Sequence, residues 1–257
     1  MKIAGLQLDI AWESPEDNFA RVRTWIETAK SAGTQLLVLP EMYACGFSMK
    51  TEAVAEPEDG PSTRFIVEQA EQSGMWIGGS VPAISEGSKK PYNTFVLASP
   101  KGQVHRYRKI HPFTFADEHE HYEAGQQFVT VDVEGLRCTL FVCYDLRFAN
   151  EMWVTAQDTD CYLFVANWPQ RRRHHWTTLL SARAIENQAY VVGINRAGRG
   201  DGIEYSGDSR IIDPWGEVLA SAAGHETMLM ADLDPKVVAQ ARKKFPVLRD
   251  RRVLPST

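Results

Sequence analysis

The sequence has no apolar run approaching the ~20 residues that a membrane-spanning helix needs. Its four cysteines, Cys45, Cys138, Cys143 and Cys161, form no C-x-x-C pair. Usage that sparse argues against a disulfide framework and for a reducing compartment. No long stretch carries one sign of charge, and the net charge is -5. That speaks against the basic face of a nucleic-acid binder. The only dense basic cluster is Arg171-Arg172-Arg173. Met1 to Gln7 reads directly into a strand and lacks the apolar core of a signal peptide. These absences together predict a soluble cytoplasmic protein that binds neither membrane nor nucleic acid. G-x-G-x-x-G, P-loop and G-x-S-x-G motifs are also missing, so neither a nucleotide cradle nor a serine elbow is predicted. His119-Glu120-His121 has no second ligand pair at a recognisable spacing, and no metal is expected there.

What is present is an alternation of strands and helices. Lys2 to Leu8 reads as a strand. Ser14-Pro15-Glu16-Asp17 reads as a helix start, with Ser14 as N-cap and Pro15 at the first helical position. Phe19, Val22, Ile26 and Ala29 continue that helix to Gly33. Leu36-Leu37-Val38-Leu39 is a continuous apolar run, as expected of a strand buried on both faces. Ser62 to Gln72 reads as a helix and Met75 to Val81 as a strand. Tyr92 to Ala98 and Gln103 to Tyr107 pair around Pro100-Lys101-Gly102. Gln127 to Val133 and Arg137 to Val142 form a second hairpin. Then come a helix near Phe148 to Gln157, a strand from Cys161 to Ala166, a helix from Trp176 to Gln188 and a strand from Tyr190 to Ile194. A hairpin turns at Asp213-Pro214-Trp215-Gly216, followed by a strand from Met228 to Leu233 and a helix from Pro235 to Lys243.

There is no repeat, linker or low-complexity stretch, so one α/β domain spanning 1–257 is predicted, with a tail from about 245. The hairpins predict a mixed sheet, or two sheets, rather than one parallel sheet. Ile110 to Gly125 has no period and holds four acidic residues, three histidines and three aromatics, which marks a loop with a function.

Three segments can carry chemistry. Leu39-Pro40-Glu41 places a carboxylate just beyond a buried strand, where α/β folds build sites, although an isolated Glu is usually solvent-facing. Val142-Cys143-Tyr144-Asp145 puts a cysteine at a strand-to-helix turn, which can expose a nucleophile beside backbone N–H groups. Cys45, Cys138 and Cys161 fit the ordinary place of a core thiol better. Tyr107-Arg108-Lys109-Ile110-His111 follows a strand and opens the irregular loop.

Taken together and in this order, the three segments resemble the nitrilase superfamily. L-P-E is matched at 39–41, Y-R-K-x-H at 107–111 and C-Y-D-x-R-F at 143–148. The likeness continues through His175-Trp176, Arg183 to Gln188 and Asp213 to Val218. The C-Y-D-x-R-F form and the segment Phe245 to Arg252 place the resemblance nearest the omega-amidase branch. The resemblance implies a four-layer αββα sandwich, a Glu41–Lys109–Cys143 triad, no cofactor and a homodimer packed through a helix layer. It implies hydrolysis of the terminal amide of small 2-oxo acids such as 2-oxoglutaramate and 2-oxosuccinamate through a cysteine thioester. The alternatives are another amidase of the superfamily, acting on deaminated peptides or N-carbamoyl compounds, or a non-catalytic scaffold of the same fold.

The resemblance also implies a second glutamate in the loop after the lysine. Glu118, Glu120 and Glu123 all precede Gly125, and an E-x-x-x-x-G spacing points to Glu120. Lys109 and the Tyr144 N–H are the expected oxyanion donors, and the lysine cation is expected to favour thiolate at Cys143. A substrate carboxylate calls for an arginine, with Arg147, Arg171, Arg172 and Arg173 as candidates. The triple arginine reads equally as a surface or dimer-rim patch. Tyr43 and Phe113 are candidate pocket walls and equally plausible core aromatics.

Overall fold

The computed structural model describes residues 1–252, so the last five positions of the expected domain and tail, 253–257, lie outside the described residues. Among the described residues, fourteen strands build two seven-stranded sheets. The first sheet uses β1 (Lys2–Gln7), β2 (Leu36–Val38), β3 (Glu56–Pro57), β4 (Trp76–Ile84), β5 (Tyr92–Ala98) and β6 (Val104–Arg108). The second uses β7 (Thr130–Val133), β8 (Leu136–Val142), β9 (Cys161–Ala166), β10 (Tyr190–Asn195), β11 (Ala197–Gly200), β12 (Ile203–Ile212) and β13 (Val218–Ala223). The last strand, β14 (Thr227–Asp232), returns to pair with β1. The orders are β14-β1-β2-β4-β5-β6 and β11-β12-β10-β9-β8-β7, with β3 on β4 and β13 on β12. In each sheet three central strands run parallel and the flanking pairs are antiparallel, except that the short β3 joins β4 in parallel. This is the expected mixed arrangement.

The helices are α1 (Pro15–Ser31), α2 (Thr51–Val54), α3 (Pro61–Ser73), α4 (Glu118–His121), α5 (Ala149–Thr155), α6 (Arg173–Asn187) and α7 (Pro235–Lys244). The apolar run at 36–39 shows why the layers form. Leu36 and Val38 point into the core between the sheets, while Leu37 and Leu39 point toward α1 and α3, where Val22, Ile26, Phe65 and Ile66 meet them. A period of two with both faces apolar demands cover on both sides. On the far side, Trp176, Leu180 and Ala184 of α6 cover the second sheet. The four layers run α, β, β, α, as the resemblance implied.

Local differences from the sequence reading have physical causes. Ser14 precedes α1 but does not cap it, because its hydroxyl donates to Asp17 at 2.8 Å instead of accepting a helix N–H. The helix expected from Trp176 begins at Arg173, preceded by a 3-10 turn over Gln170–Arg172. The segment from Ile110 to Gly125 is mostly irregular, but a 3-10 turn (Thr114–Ala116) and α4 are folded within it. β3, β11 and α2 carried no readable period.

Candidate active site

Glu41, Lys109 and Cys143 start on different elements and meet at one end of the sandwich. Glu41 lies just past β2, Lys109 directly follows β6, and Cys143 directly follows β8. The carboxyl ends of parallel strands are the usual site of binding crevices in α/β folds.

The turn at Cys143 is tight. Val142 keeps extended dihedrals, and Cys143 then adopts a left-handed φ of 46°. Such a conformation costs a non-glycine residue about 1–3 kcal/mol and persists only where neighbours hold it. Asp145 is the holder. Its buried carboxylate accepts from the Val142 N–H at 3.0 Å, the Tyr107 hydroxyl at 2.7 Å and the His111 N–H at 2.9 Å. The chain end that carries Lys109 is thereby tied to the turn that carries Cys143.

Glu41 is fully buried. One oxygen accepts from Asn93 Nδ2 at 2.8 Å and Lys109 Nζ at 3.2 Å, and the other from the Asn167 N–H at 2.6 Å. Asn93 is oriented by the Ser80 hydroxyl, which donates to its amide oxygen at 2.8 Å. Its Nδ2 bridges to Glu118 at 3.1 Å. Lys109 also donates to Glu118 at 2.8 and 3.1 Å.

Two carboxylates therefore share one buried ammonium. Burial alone would lower the Lys109 pKa, but Glu118 and then Glu41 outweigh it and hold the ammonium charged. Burial, only partly offset by Lys109, raises the carboxyl of Glu118. Burial and then the charge of Glu41 push the Cys143 thiol well up, against the pull of Lys109. The resting sulfur is thus a thiol: Lys109 does favour thiolate, as expected, but burial and Glu41 outweigh it in the free site.

A cavity of about 160 Å³ opens over Cys143. Tyr144, Phe113, Trp168, Arg147, Arg171 and Arg172 are among its walls. Arg172 is half-buried and lies over the Phe113 ring at 5.2 Å, and Arg147 lies over Trp168 at 4.7 Å. Among the described residues none of Arg147, Arg171 and Arg172 pairs with a carboxylate. Burial, and then the neighbouring cations, lower the Arg172 pKa.

Three expectations need correction. Glu120 is exposed and bonds to His119 at 3.1 Å, so the second carboxylate at the lysine is Glu118, which is fully buried. Tyr43 is packed between the first sheet and its helices, against Phe19 and Phe65, and donates to the Ser62 carbonyl at 2.7 Å. Arg173 is bound to Asp208 at 2.5 Å and is not a wall of the cavity over Cys143. Sequence reading also missed Asn93 and Asn167. Asn167 could have been suspected from its place at the end of the buried run Cys161 to Ala166, whereas Asn93 carries no local signal.

The chain matches the carbon–nitrogen hydrolase family over residues 2–243. It belongs to that family. It is 42% identical over 253 residues to omega-amidase YafV of Escherichia coli, covering 97% of this chain and 96% of the relative. It is 34% identical over 255 residues to 2-oxoglutaramate amidase of Bacillus subtilis, covering 97% of each. Among solved structures, a carbon–nitrogen hydrolase superfamily protein from Xanthomonas campestris superposes with a TM-score of 0.92 at 34% identity, covering 100% of this chain and 99% of that one. As a member of the carbon–nitrogen hydrolase family, the chain is a hydrolase of non-peptide C–N bonds.

Proposed function

We propose that this hydrolase is an omega-amidase that cleaves the terminal amide of small 2-oxo acids, releasing the 2-oxo diacid and ammonia. The observation that carries this reading is one cavity lined by the Cys143 thiol, with the buried Glu41 beside that thiol, and by arginines that have no carboxylate partner among the described residues. The relatives named omega-amidase and 2-oxoglutaramate amidase support the substrate class.

The chemistry follows from the protonation states. Because the Cys143 thiol is held neutral, a base must remove its proton as the sulfur attacks. Glu41 is that base. The carbonyl oxygen develops charge toward Lys109 Nζ and the Tyr144 N–H, which stabilise it without reorganising. Collapse breaks the C–N bond, and Glu41 returns the proton to the departing nitrogen, leaving ammonia and a thioester. Water then attacks the thioester with Glu41 again as base, the C–S bond breaks to free the acid, and Glu41 returns the proton to the Cys143 sulfur. Arg172, helped by Arg147, takes the distal carboxylate.

The reading extends to a cytoplasmic homodimer built from one catalytic domain. The four free thiols support the reducing compartment. Val154 on α5 and Ile185 on α6 are 64% and 54% exposed, and they support pairing through that helix layer. Among the described residues no helix is long and apolar enough to cross a membrane.

The test is ammonia release from 2-oxoglutaramate. Wild type should turn it over, and Cys143→Ala should lose activity to background with its thermal midpoint intact. Undiminished turnover by that variant would remove Cys143 from the mechanism.

A further inference from the structure

Tyr205 sits on β12 and forms part of the cavity wall. Only 4% of it is exposed, and its hydroxyl has no protein hydrogen-bond partner among the described residues. The hydroxyl is not among the buried side-chain atoms left without a partner, so on this cavity wall it is an unpaired donor still open to a ligand.

Its ring is backed by a cation. The Arg196 guanidinium lies 4.6 Å from the ring centroid and is fully buried. It is fixed by the carbonyls of Ile10 at 2.9 Å, Ala197 at 3.1 Å and Arg199 at 3.2 Å, and its Nη1 has no acceptor. Asp9, the nearest carboxylate, stands off at 3.5 Å and is half-exposed. The cation is therefore incompletely neutralised, and the face of Tyr205 receives its field. A positive charge on the π face draws electron density from the phenol and strengthens O–H donation.

We propose that the Tyr205 hydroxyl, backed by Arg196, donates a hydrogen bond to the oxygen-rich 2-oxo acid end of the substrate and so determines specificity. This rests on the omega-amidase reading above. Burial pushes the phenol up to about 12, with Arg196 pulling it back, so it remains a proton donor throughout the neutral range. Lone arginines attract any anion, whereas a fixed hydroxyl with a preset direction selects an anion of one length and shape.

The experiment compares wild type with Tyr205→Phe, which deletes only an oxygen that bonds to nothing among the described residues. Ammonia release is followed across 2-oxoglutaramate concentrations, with thermal midpoints measured alongside. Losing a hydrogen bond to a charged group should raise KM about tenfold or more, with kcat within about twofold. An unchanged KM overturns the proposal. So does a fall in kcat at constant KM, or a joint loss of activity and thermal midpoint, because each means that the hydroxyl serves the reaction or the fold instead. Failure of wild type itself to release ammonia from 2-oxoglutaramate, while still hydrolysing other amides through Cys143, sinks the substrate reading first and is thereby distinguished from failure of the Tyr205 assignment.

Discussion

Glu118 shows what a single residue's burial decides. Sequence spacing pointed to Glu120, two positions on, because spacing counts positions and cannot see which way a short turn faces. Asp117 takes a left-handed φ of 56°, and α4 then begins with Glu118 directed inward and Glu120 outward. Nothing in the sequence from 110 to 125 announces that rotation. Glu41 and Cys143 each follow a strand that reads clearly by its apolar run, whereas Lys109 follows Val104–Arg108, which has none, and the three became legible as a set only through the family resemblance. Glu118→Gln should lower kcat by roughly ten- to a hundredfold through misplacement of Lys109, an effect at the lower end of those seen for acid–base groups. It should also shift the pH midpoint of Cys143 alkylation downward. The sign follows from the charges, since Glu118 is one of the carboxylates holding the thiol up. An upward shift in the labelling profile would contradict this account of the buried charges.

At the scale of the element, the turn after β8 and the strand end after β6 behave as one unit because Asp145 bonds to both. The sequence presented Asp145 only as part of a motif. Its partners Tyr107 and His111 lie more than thirty positions away, and a reading of local periods cannot join them. Asp145→Asn replaces one acceptor oxygen with a donor that faces other donors. Each buried group left unsatisfied costs about 1–3 kcal/mol. The thermal midpoint should fall by several degrees at about 2–4 °C per kcal/mol, and kcat should fall at least tenfold. A calorimetric scan and steady-state assay check both, and a variant with normal kcat would show that the left-handed Cys143 is held by other contacts.

Gly125 makes a parallel case on the same unit. A Cβ there would lie 2.1 Å from the Arg108 carbonyl oxygen, which is backbone and cannot swing away. Gly125 also donates to the Lys109 carbonyl at 2.7 Å, so displacement would move the lysine. Gly125→Ala should therefore lower both the thermal midpoint and kcat. Retention of both would mean that the loop can shift without disturbing Lys109.

Across the whole molecule, the layered architecture was legible because strands with apolar residues on both faces require cover on two sides. The order in which strands join was not legible, since β14 reaches β1 from the opposite end of the chain. The same deep burial gives the protein a definite response to alkali. Burial is the leading cause that raises the thiols of Cys45, Cys143 and Cys161 and the phenols of Tyr43, Tyr107 and Tyr122. In the unfolded chain these groups ionise at about 8.5 for Cys and about 10 for Tyr. Below those values both states hold the proton, and burial contributes its full stability. Above them the unfolded state releases protons that the folded state keeps, so it binds fewer and stability falls as pH rises. The thermal midpoint should therefore decline from about pH 8.5 and more steeply above about pH 10, the unfolded thiol and phenol values. A midpoint flat to pH 11 would show that these side chains are less enclosed than the packing of the two sheets makes them.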